Sequence, residues 1–134
     1  MKLWHNDIFD NGFNAAKINA NKMVLCKAAP ASYNDANNLD TDVPAGSKVA
    51  EVVMASGDYT IQDRVGGGRE MVVALKNSVT ALDNSLVTDD LHVALLDTVN
   101  LKLMVLTDET SDQTITTGNP VNFPSWTTGN PDPV

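Results

Sequence analysis

Two apolar runs flank a short polar link in the stretch Leu91-His92-Val93-Ala94-Leu95-Leu96-Asp97-Thr98-Val99-Asn100-Leu101-Lys102-Leu103-Met104-Val105-Leu106-Thr107. Each run has the length and the branched side chains that are typical of a β-strand. In the second run Leu101, Leu103 and Val105 alternate with the residues between them, a period of two that places the two sets on opposite faces of a sheet. The link Thr98-Val99-Asn100 suits a tight turn, so the stretch predicts an antiparallel hairpin.

Other strands are predicted on both sides of this hairpin, separated by frequent turn residues. They cover residues 22–27, 49–54, 59–65, 70–76, 79–83 and 113–117. The second and third are expected to pair around Ser56-Gly57-Asp58, and the fourth and fifth around Asn77-Ser78. This pattern predicts a mainly β fold, either an antiparallel sandwich or a barrel.

One helix is predicted, over residues 6–19. Phe9, Phe13 and Ala16 recur at spacings of three and four, which places them on one helical face. An Asn-Asp pair at the start of the segment can cap the helix. Asparagine and aspartate greatly outnumber glutamate in the chain, which favours turns over further helix.

Residues 31–48 are mostly polar and are predicted to form a long loop. Loops of this length are usually functional, ordered by a partner or disordered. Ser32 is followed three residues later by Asp35, a spacing that suits a cap, so a single helical turn is predicted inside the loop.

The composition suits one acidic domain. The chain has 134 residues and a net charge of −8 at pH 7, so its surface repels phosphate groups and neither nucleic acid nor a membrane is an expected partner. No run of about 18 apolar residues occurs, and the N-terminal segment lacks the apolar core of a secretory signal. Cys26 is the one cysteine, so no intrachain disulfide is expected, and we expect folding in a cytoplasm.

Motifs for catalysis, cofactors or metals are not recognisable. Gly66-Gly67-Gly68 lacks the ending of a phosphate-binding loop and is predicted to connect two strands. His5, His92 and Cys26 lack zinc-ligand spacing, and His92 is predicted to have a structural, hydrogen-bonded role. The acidic clusters do not fit a calcium loop and are predicted to be solvated turns; they are Asp40 with Asp42, Asp89 with Asp90, and Asp108 with Glu109 and Asp112. We therefore predict no catalytic residue, no cofactor and no metal, and a protein that is not an enzyme.

The C-terminal segment has an unusual composition. Residues 118–134 hold four of the six prolines of the chain. Because proline fixes φ and lacks a backbone donor, this segment is not expected to form a helix or a central strand. The predicted organisation is therefore a β-rich domain over residues 1–117 and an extended arm over residues 118–134.

Aromatic side chains occur near both ends of the chain. They either pack on the core of their own domain or contact a neighbouring subunit. For the second alternative, the candidate interface residues are Trp4, Phe123, Trp126, Pro131 and Pro133.

Three stretches and one short segment are distinctive when taken together. They are Asn6-Asp7-Ile8-Phe9-Asp10-Asn11-Gly12-Phe13-Asn14 followed by Met23-Val24-Leu25-Cys26-Lys27, the hairpin from His92 to Leu106, Gly118-Asn119-Pro120-Val121-Asn122-Phe123-Pro124-Ser125-Trp126 through Pro131-Asp132-Pro133, and Tyr33-Asn34-Asp35-Ala36. They resemble a family of small virion proteins of tailed bacteriophages. The resemblance implies a decoration or cement protein that binds the outer surface of the major capsid protein shell and stabilises the head. It also implies a homo-oligomer or multiple copies on an icosahedral lattice, at the capsid surface of a virion assembled in the host cytoplasm.

Two other functions remain as alternatives. A tail or head–tail connector component uses similar β-domains. A carbohydrate-binding or host-surface-binding module would expose aromatic side chains on a sheet face, and Tyr59 is the one aromatic inside a predicted central strand.

Overall fold

The computed structural model describes residues 5–109 and 111–130, apart from the side chains of residues 6–8. As predicted, the fold is mainly β, and its antiparallel sheets pack in a sandwich-like arrangement rather than a closed barrel. In chain order the elements are α1 (Asn6–Asn19), β1 (Lys22–Cys26), α2 (Tyr33–Asn37), β2 (Lys48–Val53), β3 (Tyr59–Asp63), β4 (Arg69–Val73), β5 (Lys76–Thr80), β6 (His92–Asp97), β7 (Lys102–Asp108), β8 (Pro120–Phe123) and β9 (Trp126–Asn130).

The described strands form three sheets. The first has the order β2-β1-β6-β7, the second β3-β4-β9, and the third consists of β5 and β8. All three sheets and α1 contribute to one main core, which includes Met23, Leu25, Leu95, Tyr59, Met71, Val73, Val121 and Phe123. Every residue of β6 is buried, because its two faces contribute to the main core and to a smaller second core.

The helix predicted over residues 6–19 is confirmed with those bounds. Phe9 and Phe13 lie in the main core, at the spacing from which the helix was predicted. The Asp10 carboxylate accepts two hydrogen bonds from the Arg69 guanidinium, at 2.7 and 3.1 Å. This two-point contact ties α1 to β4.

The single helical turn predicted inside the long polar segment is α2. The Ser32 hydroxyl accepts a hydrogen bond from the Asp35 N–H at 3.2 Å, as expected for a cap. Ala36 of α2 is fully buried and packs with Cys26 in the second core, on the outer face of the first sheet. The segment is therefore packed on the domain rather than free of it.

Two predicted strand pairings are wrong, although the strands form near their predicted positions. β2 pairs with β1 and β3 pairs with β4, and the Tyr59 hydroxyl donates to the Ala20 carbonyl at 2.8 Å where the chain enters the second sheet. Asn77 and Ser78 lie inside β5, which pairs with β8. The Asn122 side chain accepts a hydrogen bond from the Ser78 N–H at 2.9 Å and stabilises that pairing.

The hairpin predicted from residues 91–107 is confirmed as β6 paired antiparallel with β7. The connector predicted at residues 66–68 is also confirmed, since its three glycines join β3 to β4 with positive φ. The strand predicted over residues 113–117 is reduced to one bridge, between Ile115 and Ser85.

The predicted boundary at residue 117 is corrected by the structure, because most of the segment after it belongs to the domain. Within the described part of that segment, β8 pairs with β5 and β9 pairs with β4. Val121 and Phe123 point into the main core and are only 7% and 2% exposed, so their burial holds the segment in place. β9 lies at a sheet edge and β8 belongs to a two-stranded sheet, so neither is a central strand, in agreement with what the prolines of the segment exclude.

The turn between β6 and β7 is organised by a buried carboxylate. Asp97 accepts hydrogen bonds from the side-chain amide of Asn100 at 2.7 Å and from the N–H groups of Asn100 and Val99 at 3.0 Å. The Asn100 amide, followed by the backbone donors, lowers the pKa of Asp97. The ionised carboxylate therefore stabilises the folded chain.

Because the pKa of Asp97 is lowered in the folded chain, we expect the stability of the protein to depend on pH. The folded-state pKa lies below the unfolded value of about 3.9, so the stabilisation is present above that pH and is lost as the pH falls through the folded pKa. We expect Asp97→Asn to lower the melting temperature at pH 7, and the gap from the unsubstituted chain to shrink at lower pH. Thermal melts from neutral pH down to a pH below the unfolded pKa of about 3.9 check this; a constant gap would contradict it.

Candidate functional site

A groove of about 480 Å³ lies beside the start of β6 and the end of β8. Its floor is apolar and its rim carries amides, hydroxyls and one carboxylate. The floor residues are Leu25, Leu91, Val93, Val121 and Phe123, and the rim residues are Leu75, Asn77, Glu109, Ser111, Gln113, Asn122, Pro124 and Ser125. The floor side chains belong to the main core, so the bottom of the groove is formed by the surface of that core.

The first part of the rim follows β7 and is attached to β6 through Leu91. The Leu91 carbonyl accepts a hydrogen bond from the Glu109 N–H, and the Leu91 N–H donates to the Asp112 carboxylate, both at 2.9 Å. The Glu109 carboxylate accepts a hydrogen bond from the Ser111 N–H at 3.1 Å. These contacts hold the Glu109 carboxylate at the groove.

The second part of the rim is anchored by a buried serine. Ser85 is 1% exposed, and its hydroxyl donates to the Gln113 carbonyl at 2.9 Å. Its main chain forms the bridge with Ile115. A short polar cleft continues the groove between residues 113–116 and residues 119–122.

The third part of the rim is an open strand edge. The Ala81 N–H donates to the Asn119 carbonyl, and Thr80 lies opposite Pro120, so the next main-chain bonds join Val79 to Val121. Because main-chain groups alternate in direction along a strand, the N–H and carbonyl of Asn122 point away from β5. Among the described strands β8 has no second neighbour, so these two groups have no strand partner, and Asn122 is one of the residues that line the groove.

The groove is anionic. Glu109 is its one charged rim residue, and Asp108 and Asp112 flank it in the sequence. Across residues 5–109 and 111–130, none of these three carboxylates forms an ion pair with lysine or arginine. A cationic group on a partner would therefore find an uncompensated carboxylate here.

The structure brings three potential metal ligands together at one end of the β6–β7 pair. Ligand atoms of Asp90, His92 and Asp108 lie within 4.8 Å of one another. His92 is 8% exposed, and its Nδ1 lies 2.9 Å from the Asp90 carbonyl oxygen, in keeping with its predicted hydrogen-bonded role. Both carboxylates are exposed to solvent, as acidic groups on protein surfaces commonly are.

Cys26 lies opposite His92 in the β1–β6 pairing, and its side chain is part of the second core. Its Sγ is 3.8 Å from the Ala36 carbonyl oxygen. Burial raises the pKa of the Cys26 thiol to about 11, so the thiol stays protonated at neutral pH and is a poor nucleophile.

The predicted interface residues have different outcomes. Trp4, Pro131 and Pro133 lie outside the described residues. Phe123 forms part of the groove floor and the main core, and Trp126 of β9 packs half-buried against that core. Neither aromatic is an exposed anchor on a free arm, because both strands that carry them are paired within the domain.

Sequence reasoning missed the other groove residues. Leu25, Leu91 and Val93 were assigned to strands, but nothing local shows that they meet Val121. The one available signal was the alternation of Pro120-Val121-Asn122-Phe123, which suits a half-buried edge strand that begins with proline.

Comparisons of the chain with protein-family models, with curated proteins and with solved structures gave no match. In the described part of the chain, no helix has both the length and the apolar character needed to cross a membrane.

Proposed function

We propose that this protein is a structural virion protein of a tailed bacteriophage that binds the outer surface of the major capsid protein shell as a decoration protein. The sequence resemblance supports the biological setting. The observation that carries the binding role is the groove, with an apolar floor next to an open strand edge. Repeating one such contact over the many equivalent sites of a shell would stabilise the head.

The chemistry of the groove suits docking better than catalysis. Nucleophilic catalysis needs a nucleophile within hydrogen-bond reach of a base. Among the described rim residues, the Ser125 hydroxyl instead donates to the Val73 carbonyl at 2.8 Å, and Glu109 accepts a hydrogen bond from a backbone N–H. The rim is therefore suited to hold a polypeptide rather than to transform a substrate.

The groove also argues against the carbohydrate-binding alternative. Sugar-binding sites present aromatic faces on which a ring can stack, whereas Phe123 is 2% exposed and belongs to the floor. The amide, hydroxyl and apolar lining is closer to the composition of a protein–protein contact.

Co-sedimentation with capsid shells of the phage that encodes the chain tests this function. We expect saturable, stoichiometric binding that Leu75→Arg weakens about tenfold or more, because a charge at the apolar part of the rim would be desolvated on docking. Leu75 is 54% exposed, so the substitution leaves the fold intact. Val87→Arg is the matched control, since Val87 is 69% exposed and does not line the groove.

Failure of the unsubstituted protein to sediment with the shells would overturn the proposal. Co-purification with tails would instead support the tail or connector alternative. Equal weakening by both arginine variants would show that binding does not use the groove.

A further inference from the structure

We infer that the groove receives an extended segment of its protein partner, which adds as a strand to the open edge of β8 and carries a lysine or arginine towards Glu109. The inference rests on the proposed function for the identity of the partner, which is the capsid protein. It goes further by specifying the conformation and the charge of the segment that docks.

The open edge of β8 supports strand addition. The outward N–H and carbonyl of Asn122 are the main-chain groups that an added strand would pair with, at a strand spacing of about 4.8 Å. Asn122 lines both the groove and the cleft that continues it, so the edge and the cavity coincide. The Asn122 side chain is held by the Ser78 N–H, which fixes this part of the edge before any partner binds.

The two prolines near Asn122 restrict what can pair there. Pro120 and Pro124 lack the N–H that a strand partner needs, so the edge offers one donor, at Asn122. Proline at an edge normally prevents indiscriminate strand pairing. The edge is therefore closed to long strands but open to a short segment in one register.

The floor and the charge define the side chains of the segment. Alternate residues of an extended chain point the same way, so one apolar side chain can enter the floor at Leu91 and Phe123 while its neighbours meet the polar rim. Glu109 supplies a carboxylate without a basic partner among the described residues. A basic residue on the segment would balance it.

Hydrogen exchange on the capsid shell tests the strand addition. The protein is exchanged in deuterated buffer free and shell-bound, released under quench conditions, and read residue by residue. We expect the Asn122 amide to exchange at least tenfold more slowly when bound, because it gains a main-chain acceptor. An amide outside the groove, such as that of Thr60 in β3, serves as the internal reference.

A pair of matched substitutions tests the charge. Glu109→Gln keeps the acceptor for the Ser111 N–H and removes the charge, and Glu70→Gln makes the same change at a glutamate outside the groove. We expect Glu109→Gln to weaken shell binding about threefold at low salt, with the difference vanishing near 1 M salt. Glu70→Gln is expected to bind like the unsubstituted protein.

The outcomes separate this inference from the proposed function. Shell binding with an unprotected Asn122 amide would overturn strand addition and leave the decoration role in place. Shell binding that is unchanged by Glu109→Gln would overturn the inference that the segment carries a lysine or arginine towards Glu109. Absence of shell binding would overturn the decoration role itself, and with it the capsid protein as the occupant.

Discussion

A chain that ends at Thr117 will not fold, although the sequence placed a domain boundary there. Removing residues 118–134 deletes β8 and β9, and with them the pairing partner of β5 and one neighbour of β4. It also strips Val121, Phe123 and Trp126 from the main core. The expected product is an unfolded or aggregating polypeptide.

The expected loss is large compared with the stability of a domain. Losing the Phe123 side chain alone costs about 3–5 kcal/mol, against a total of about 5–15 kcal/mol for a typical domain. The two strand ladders and the other buried side chains add to that cost. Circular dichroism and an amide NMR spectrum of the truncated chain measure the outcome directly.

A second truncation serves as the control. A chain that ends at Asn130 keeps both strands, so we expect it to melt cooperatively. A cooperative thermal transition in the chain that ends at Thr117 would contradict the structure, and would restore residues 118–134 to the role of a separable arm.

The C-terminal segment shows why sequence reasoning places extended segments less reliably than it recognises them. The prolines correctly excluded a helix and a central strand. The partner of Trp126 in the β9 ladder, however, is Val73, more than 50 residues earlier in the chain. Such a register is set by the burial of side chains on a shared core, and no local pattern encodes it.

Local features, in contrast, were predicted well. The helix over residues 6–19, the cap at Ser32 and the hairpin over residues 91–107 each depend on contacts within a few positions in sequence. The two wrong pairings assumed that consecutive strands are neighbours. Here the chain crosses from the first sheet to the second between Val53 and Tyr59, so the expected hairpin does not form.

The candidate site depends on contacts between residues that are far apart in sequence, so it was the hardest feature to predict. Its floor combines Leu25 of β1, Leu91 before β6 and Phe123 of β8, three parts of the chain that meet only after the sheets pack. Its edge depends on the register of β8 against β5. The sequence leaves two places open for Phe123, the core of its own domain or an interface, and the structure places it in the main core at the floor of the groove.

The second large effect is expected at Gly46, where alanine should destabilise the fold by about 2–4 kcal/mol. A Cβ at this position would lie 2.3 Å from the Asn38 carbonyl oxygen and 2.7 Å from the Asp35 carbonyl oxygen. These are main-chain atoms of α2 and its end, so neither can move aside cheaply. The loop would have to leave α2, which breaks the bonds from the Gly46 N–H to Leu39 and from the Ser47 N–H to Asp35, both 2.8 Å.

Gly12→Ala is the matched control, because it makes the same change where a Cβ meets no atom within 4 Å. Gly12 lies inside α1, so alanine there should stabilise the fold by about 0.5–1 kcal/mol through its better helix propensity. Urea unfolding of both variants measures the two free energies, which are expected to differ in sign. Destabilisation of similar size in both would contradict the steric argument.

The Cys26 thiol reports where the damage occurs. It is fully buried beneath Ala36 of α2, so it reacts with a thiol reagent only when this region opens. In Gly46→Ala the loop no longer holds α2 against the sheet, so we expect the thiol to react at urea concentrations well below the unfolding midpoint. If it reacts only with global unfolding, the loop relaxes in place and α2 keeps its cover over the second core. Reaction below the unfolding midpoint would show that the loop of residues 38–48 packs on α2 because Gly46 has no Cβ.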